Sequence, residues 1–252
     1  MGKRKIRADQ LLLQNGQVQS REEAKRLIMA GKVRAPTGPG GQWEKVLKPG
    51  SQLPLELELE VLQGQRFASR GGQKLQSALE HFRLDVQGMV ALDVGASSGG
   101  FTDCLLQHGA SRVYALDVGY GQLDWKLRSD PRVYSLERVN IRYAEAGLLP
   151  EPVDLLVVDC SFISLRQVLP ASLQFLRPGG LALSLVKPQF ELGRGRTEKG
   201  VVRIPALQEE AVHQVWLFAG QELGLECKGQ VRAGLKGPKG NQEYFVLCRK
   251  PG

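Results

Sequence analysis

From residue 90 to residue 248 the chain repeats one pattern: a short unbroken apolar run, a turn of small or polar residues, then a stretch with helical spacing. The runs fall at 90–94 (VALDV), 112–118 (RVYALDV), 132–136, 153–159 (VDLLVVD), 181–187 (LALSLVK), near 225–232 and at 243–248 (EYFVLC). Helical stretches fall near 100–108, 165–176 and 206–223. A strand with one wet face alternates apolar and polar residues. These runs do not alternate, so both of their faces are covered. Covering both faces takes helices on each side of a mostly parallel sheet, which is an α/β fold. The last two runs are less purely apolar and admit an antiparallel edge. In such sheets a ligand sits beyond the carboxyl ends of the strands. Here those ends read Asp93 to Gly100, Asp117, Asn140, Asp159 and Lys187.

The first strand leads into Gly95-Ala96-Ser97-Ser98-Gly99-Gly100 and then into a helix. Small side chains in such a turn let backbone N–H groups approach a ligand closely. Asp117 ends the second strand, and a carboxylate there can accept both hydroxyl protons of a ribose. The pair suits a nucleoside cofactor, either a nicotinamide dinucleotide or S-adenosylmethionine. A dinucleotide fold uses G-x-G-x-x-G to seat its pyrophosphate, and this loop lacks the second glycine. S-adenosylmethionine carries no phosphate and tolerates that lack, so the loop favours the methyl donor.

Composition narrows the partners. The chain has 252 residues and a net charge of +8, and the charge is uneven. Residues 1–75 hold 14 Lys+Arg against 7 Asp+Glu, whereas the remainder is near neutral. A basic segment ahead of a neutral one suits an anchor for a polyanion joined to a separate working domain. No apolar run approaches the roughly 18–20 residues that span a bilayer. The start has neither a secretory pattern nor, with Ile6, a myristoylation match, so a cytoplasmic location is expected. Four scattered cysteines and three histidines show no metal-ligand spacing, and no metal site is expected.

Within the basic segment, Ser20-Arg21-Glu22-Glu23 is a capping box. It opens a helix through Ala24, Leu27 and Ile28 that stops at Gly31. A shorter helix, 8–14, precedes it. A strand over 32–35, a Pro/Gly loop and the alternating LPLELELEVL follow, and the period of two predicts a strand with one wet face over 53–62. This order, carried by IRADQLLLQNGQVQSREEAKRLIMAGKVRA, resembles the S-four-type RNA-binding module. The resemblance implies that Arg7, Arg21, Lys25, Arg26, Lys32 and Arg34 face structured RNA, with the module's usual early acidic residue present as Asp9.

The larger segment resembles the TlyA-type family of haemolysin-named rRNA 2′-O-methyltransferases, whose catalytic domain is similar to the FtsJ group. The matching stretches are SRGGQKL, ALDVGASSGGFTDCLLQHGA, VYALDVGYGQL, VVDCSFISL, VKPQFE and GPKGNQEYF. The resemblance implies a Rossmann-like S-adenosylmethionine-dependent methyltransferase sheet of seven strands, mostly parallel, with a small N-terminal α+β RNA-binding domain. The expected division is 1–63, a linker at 64–72, and 73–252. It also implies a catalytic tetrad of Lys74, Asp159, Lys187 and Glu243. Donor-binding positions fall on Gly95, Ser97, Gly99, Gly100, Phe101, Asp117, Val118, Asn140 and Asp159. The implied reaction is methylation of a cytidine 2′-hydroxyl in ribosomal RNA, with rRNA or ribosomal subunits as partner.

That chemistry suits those residue types. A ribose hydroxyl is a poor nucleophile until its proton is drawn off, and the attacked carbon is already activated by a sulfonium. A lysine serves as base only after losing its own proton, which burial and a second ammonium favour and carboxylates oppose. Lys187 is expected as base or alkoxide stabiliser, oriented by Asp159, with Lys74 and Glu243 positioning the ribose. After Lys187, the segment 188–203 is rich in Gly and basic residues. It is expected to be a mobile flap whose Arg194 and Arg196 meet RNA phosphates, with Phe190 as a stacking surface. Rival readings are a non-catalytic RNA-binding protein, a membrane-damaging haemolysin and a nicotinamide-linked oxidoreductase.

Overall fold

The computed structural model describes residues 4–37, 41–62, 66–193 and 195–252. The chain divides into two compact units, Met1–Arg66 and Phe67–Gly252.

The smaller unit holds β1 (Lys5–Arg7), α1 (Ala8–Gln14), α2 (Arg21–Met29), β2 (Val33–Pro36), β3 (Trp43–Lys45), β4 (Gln52–Pro54) and β5 (Glu60–Val61). Ser20 caps α2 by accepting from the N–H of Glu23 at 3.2 Å. The Glu23 carboxylate reaches back to the N–H of Gln19 at 2.9 Å, one residue outside the cap. Both helices bury their apolar stripes, Leu11 and Leu12 from α1 and Ala24 and Ile28 from α2, in one core.

The run LPLELELEVL is not one strand. Only its ends pair, β4 with β1 and β5 with β2. Between them the chain turns after Pro54, whose carbonyl accepts from Leu57 at 3.0 Å. The alternation survives as burial: Leu53, Leu55, Leu57 and Leu59 face the core while Glu56, Glu58 and Glu60 face water. Period two therefore reported the wet and dry faces correctly but not the ladder, because two different partner strands claim the two ends.

The larger unit holds α3 (Arg70–Phe82), β6 (Val90–Val94), α4 (Gly100–Gln107), β7 (Arg112–Asp117), α5 (Trp125–Arg128), β8 (Val133–Glu137) and β9 (Val153–Val158). It continues with α6 (Leu165–Ser172), β10 (Leu176–Val186), α7 (Pro188–Glu191), α8 (Pro205–Leu217), β11 (Glu226–Arg232) and β12 (Tyr244–Arg249). Seven strands form one sheet in the order β11-β12-β10-β9-β6-β7-β8. The five strands from β10 to β8 are parallel, and β12 runs antiparallel between β10 and β11. Along each central strand, successive side chains enter different cores. Leu92, Leu116 and Leu156 pack with α6 and α8 on one face. Ala91, Val113 and Leu155 pack with α3 and α4 on the other. The unbroken apolar runs are thus two interleaved core faces, the doubly covered Rossmann-like sheet that their composition predicts.

Helix α3 was absent from the sequence pattern because Gly71-Gly72 depresses helix propensity where it begins. Ser69 supplies the cap, accepting from the N–H of Gly71 at 3.2 Å. Gly72 is there for packing: a Cβ would stand 2.3 Å from the Phe67 ring and 2.7 Å from the Gly100 carbonyl. Residues 70–72, expected in a linker, are the first turn of this helix, and Phe67 is buried in the larger unit. Linker residues 64–65 lie outside the described residues.

Candidate active site

The carboxyl ends of β6, β7 and β9 surround a cavity of about 480 Å³. Gly95, Ser97, Asp117, Val118, Asn140 and Asp159 line it, as expected from the sequence. Gly95 has φ +89°, and a Cβ there would meet the Asp159 carbonyl at 2.7 Å. Glycine is therefore required where β6 and β9 leave the sheet side by side. The Asp117 carboxylate is held by two backbone N–H groups, Ser97 on Oδ2 at 2.8 Å and Gly119 on Oδ1 at 2.7 Å. Each oxygen keeps a second lone pair for a hydroxyl in the cavity. Asn140 spends its side-chain oxygen on the N–H of Arg142 at 3.2 Å, which leaves its amide donors for the cavity.

Gly99, Gly100 and Phe101 are not among the lining residues. A Cβ on Gly99 would strike Leu127 at 2.2 Å, and one on Gly100 would strike Ser69 at 2.1 Å. These glycines let α4 pack against its neighbours. Phe101 is buried, with its ring 5.9 Å from that of Phe245. The loop's composition is thus divided between a cavity-lining half and a packing half.

The sequence places Asp93 among the polar strand ends but assigns it no role. It is fully buried beneath the loop, and its Oδ2 accepts from the Thr102 N–H at 3.0 Å and hydroxyl at 2.7 Å. Gly99 has no side chain to cap α4, so this carboxylate caps the helix from the strand below. Its Oδ1 has no partner among the described residues. Burial pushes the carboxyl up to about 7, against the Thr102 hydrogen bonds, with Asp159 and Asp117 pushing the same way as burial.

The four residues expected as a tetrad form two ion pairs. Lys74 from α3 and Glu243 pair at 2.5 Å, with side chains 8% and 1% exposed. Lys187 follows β10 and pairs with Asp159 at 2.5 Å, off the hydrogen-bonding direction. Its ammonium donates instead to the Ser161 hydroxyl at 2.9 Å. Register explains the convergence: Val186 pairs with Tyr244, so Lys187 and Glu243 leave neighbouring strand ends together. On the other side of β10, Ser184 pairs with Val158 of β9, which brings Asp159 to the same edge. Gly237 lies over the Glu243 carboxylate, where a Cβ would stand 2.5 Å from Oε1.

Phe162 also went unnoticed. It lines the cavity, is 90% exposed and holds φ +65°, an outlier for a bulky residue. Its ring centroid lies 5.1 Å from that of Phe190. Serine and phenylalanine carry no positional signal in DCSFISL; only the turn after β9 aims them.

The segment 188–203 is not a free flap. Its first four residues are α7. Leu192 and Val202 pack on Ala211 of α8, and Arg196 forms a two-pronged pair with Glu210 at 2.6 Å. Arg196 is therefore committed to α8. Arg194 lies outside the described residues. In the smaller unit, Asp9 is fully buried and accepts from Arg7 at 3.0 and 3.1 Å and from Arg21 at 3.1 Å. The Arg7 hydrogen bond, foremost among several effects, lowers the Asp9 carboxyl below its usual range. Lys25 pairs with Glu22, Arg26 and Lys32 are exposed, and Arg34 is half-buried on β2.

Residues 67–250 match the family described as FtsJ-like methyltransferase. The 16S/23S rRNA (cytidine-2′-O)-methyltransferase TlyA of Mycobacterium tuberculosis is 46% identical over 98% of this chain and 90% of its own length. Hemolysin A of Brachyspira hyodysenteriae is 36% identical over 96% of this chain and 98% of its own. A solved structure of a candidate hemolysin from Streptococcus thermophilus superposes with a TM-score of 0.73 at 41% identity, covering 99% of this chain and 90% of that one. Among the described residues no helix is long and apolar enough to cross a membrane.

Proposed function

Because the chain belongs to the FtsJ-like methyltransferase family, we propose that it methylates the ribose 2′-hydroxyl of cytidine in ribosomal RNA, with S-adenosylmethionine as donor. One observation supports this reading above the others. Two lysine–carboxylate pairs converge at the strand ends, directly beside a cavity fitted for a nucleoside.

The residues present fit the donor. A volume of about 480 Å³ falls within the roughly 300–1,000 Å³ of small-molecule sites. Gly95 and Ser97 form the close-approach half of the loop, Asp117 meets the ribose diol, and Asn140 meets the adenine edge. When bound, S-adenosylmethionine supplies a methyl group already activated on sulfonium.

The chain's own residues supply the rest. Lys187, held by Ser161 and Asp159, either takes the ribose hydroxyl proton in its neutral form or, as the ammonium, stabilises the ribose oxygen while that proton passes to solvent. A preorganised charge in a water-poor site stabilises such an oxygen more than solvent does. Lys74 and Glu243 hold the ribose and keep the cluster's charges balanced. Positioning of the reacting atoms supplies several kcal/mol more. Phe162 offers its exposed ring to the target base, and the backbone strain at that residue suits a functional site. In the smaller unit, Arg7, Arg21, Lys25, Arg26, Lys32 and Arg34 supply charge for an RNA helix.

The test is transfer of labelled methyl from S-adenosylmethionine to deproteinised small- and large-subunit rRNA, followed by mass spectrometry of the nucleosides. The expected product is 2′-O-methylcytidine. Label on a base, or on no nucleoside in either RNA, refutes the reading.

A further inference from the structure

Arg203, Arg232 and Lys236 line one cavity of about 330 Å³ in the larger unit that neither the donor site nor the tetrad uses. Strand register gives its position. Arg232 ends β11 and pairs with Tyr244 of β12, which pairs with Val186 of β10. Both β11 and β10 run antiparallel to β12, so their carboxyl ends share an edge. Arg232 therefore lies in the row of the residue before Lys187, two strand spacings or about 10 Å away.

The walls are built from buried contacts. Asn241, 3% exposed, accepts from the Val202 N–H at 2.9 Å and donates to the Gly200 carbonyl at 2.9 Å. That fixes the segment carrying Arg203 against the turn carrying Lys236. The Lys236 carbonyl accepts from Arg70 at 2.8 Å, which ties the same turn to the start of α3, the helix that carries Lys74. Positive charge prevails. Glu198 pairs with Arg203 at 3.1 Å at the exposed rim, and Glu209 borders the adjoining cavity that Arg232 also lines. Among the described residues neither Arg232 nor Lys236 forms a salt bridge. The Arg232 guanidinium rests 6.0 Å from the Tyr244 ring centroid.

We infer that this cavity holds a backbone phosphate of the RNA strand, close to the target nucleotide, and so sets the direction in which that strand crosses the tetrad. The inference deepens the proposed function and rests on it. Guanidinium and ammonium groups around a pocket of this size suit a phosphodiester, and the edge they occupy is continuous with the site of transfer.

The experiment compares the full-length wild type with Arg232→Ala/Lys236→Ala and with the charge-keeping Arg232→Lys/Lys236→Arg. Affinity for single-stranded oligocytidylate is measured over a series of salt concentrations, and methyl transfer to rRNA is measured alongside. S-adenosylmethionine affinity reports that each variant is folded. The single Lys236→Ala, at an exposed position, replaces the double variant if that one fails to fold. The alanine variant should bind the RNA several-fold more weakly. Its slope of log K against log salt should flatten by about 0.7 for each phosphate it no longer neutralises. In transfer, the loss should fall on KM for RNA more than on kcat, and the charge-keeping variant should recover most of it. An unchanged affinity and slope in a folded alanine variant overturns the inference. That outcome differs from failure of the underlying reading, in which the wild type itself transfers no methyl group to rRNA.

Discussion

The two units handle buried carboxylates in opposite ways. Asp9 is fully buried, but its partners Arg7 and Arg21 keep 40% and 45% of their side chains exposed. Glu243 is equally buried, and its partner Lys74 is buried with it. In the first case a hidden anion orients cations that remain in water, which costs little and leaves N–H groups free for a polyanion. In the second, both charges have left water, and such a pair adds little to stability compared with apolar packing. Under the proposed function, this fully buried pair is kept for chemistry rather than for stability.

Substitutions can break that contrast. The largest effect should come from Glu243→Gln, which strands the Lys74 ammonium. A cost of about 3–5 kcal/mol is expected, read by denaturant unfolding, together with loss of methyl transfer. The pair of changes Lys74→Met/Glu243→Leu should restore most of the stability and none of the activity. If the apolar pair restores nothing, the buried charges are structural. Next, Lys187→Ala should lower kcat by about 10²–10³ with S-adenosylmethionine affinity largely intact, because Asp159 is 20% exposed and tolerates the loss of its partner better than Lys74 does. Turnover near wild type would remove Lys187 from its assigned role.

A subtler effect belongs to Asp93. Its folded carboxyl titrates near 7, above the usual carboxylate value of about 4. The folded state therefore holds a proton that the unfolded state has released, and stability should fall as pH rises from about 4 to 7. Asp93→Asn keeps an oxygen for Thr102 and removes the titration, so the melting temperature should lose that component of its pH slope. An identical slope in the variant would place the titration elsewhere. The smallest effect should be that of Asp9→Asn in the other unit. Its partners are exposed, so the lost pairing is worth about 1 kcal/mol or less. RNA affinity should drop several-fold as Arg7 and Arg21 lose their orientation, while donor affinity stays unchanged. Because the Asp9 carboxyl sits below its usual range, its contribution is present at neutral pH and fades only as pH falls through that lowered value.

Much of this was legible before any coordinates. Unbroken apolar runs required a doubly covered sheet, since no other arrangement buries both sides of so many strands. Ser20 and Glu23 marked the start of α2 because capping is local chemistry. Strand ends collected Asp117, Asp159 and Lys187 for the same reason: in a parallel sheet, ends are where polar groups can meet a ligand.

What the chain order could not contain was decided by contacts between distant segments. The Gly99-Gly100 pair, read as a ligand cradle, also makes room for Leu127 and Ser69; a glycine looks the same in sequence whichever neighbour it spares. Helix α3 hid behind two glycines, of which Gly72 makes room for Phe67 and the Gly100 carbonyl. Arg196 looked free until Glu210 arrived from α8, and Asp93 was one polar strand end among several until its position under an uncapped helix gave it a task. Periodicity and capping report interactions within a few residues, and these the sequence determines alone. Which partner answers a charge or fills the space beside a glycine is set by packing across the whole unit, and only the tertiary structure decides it.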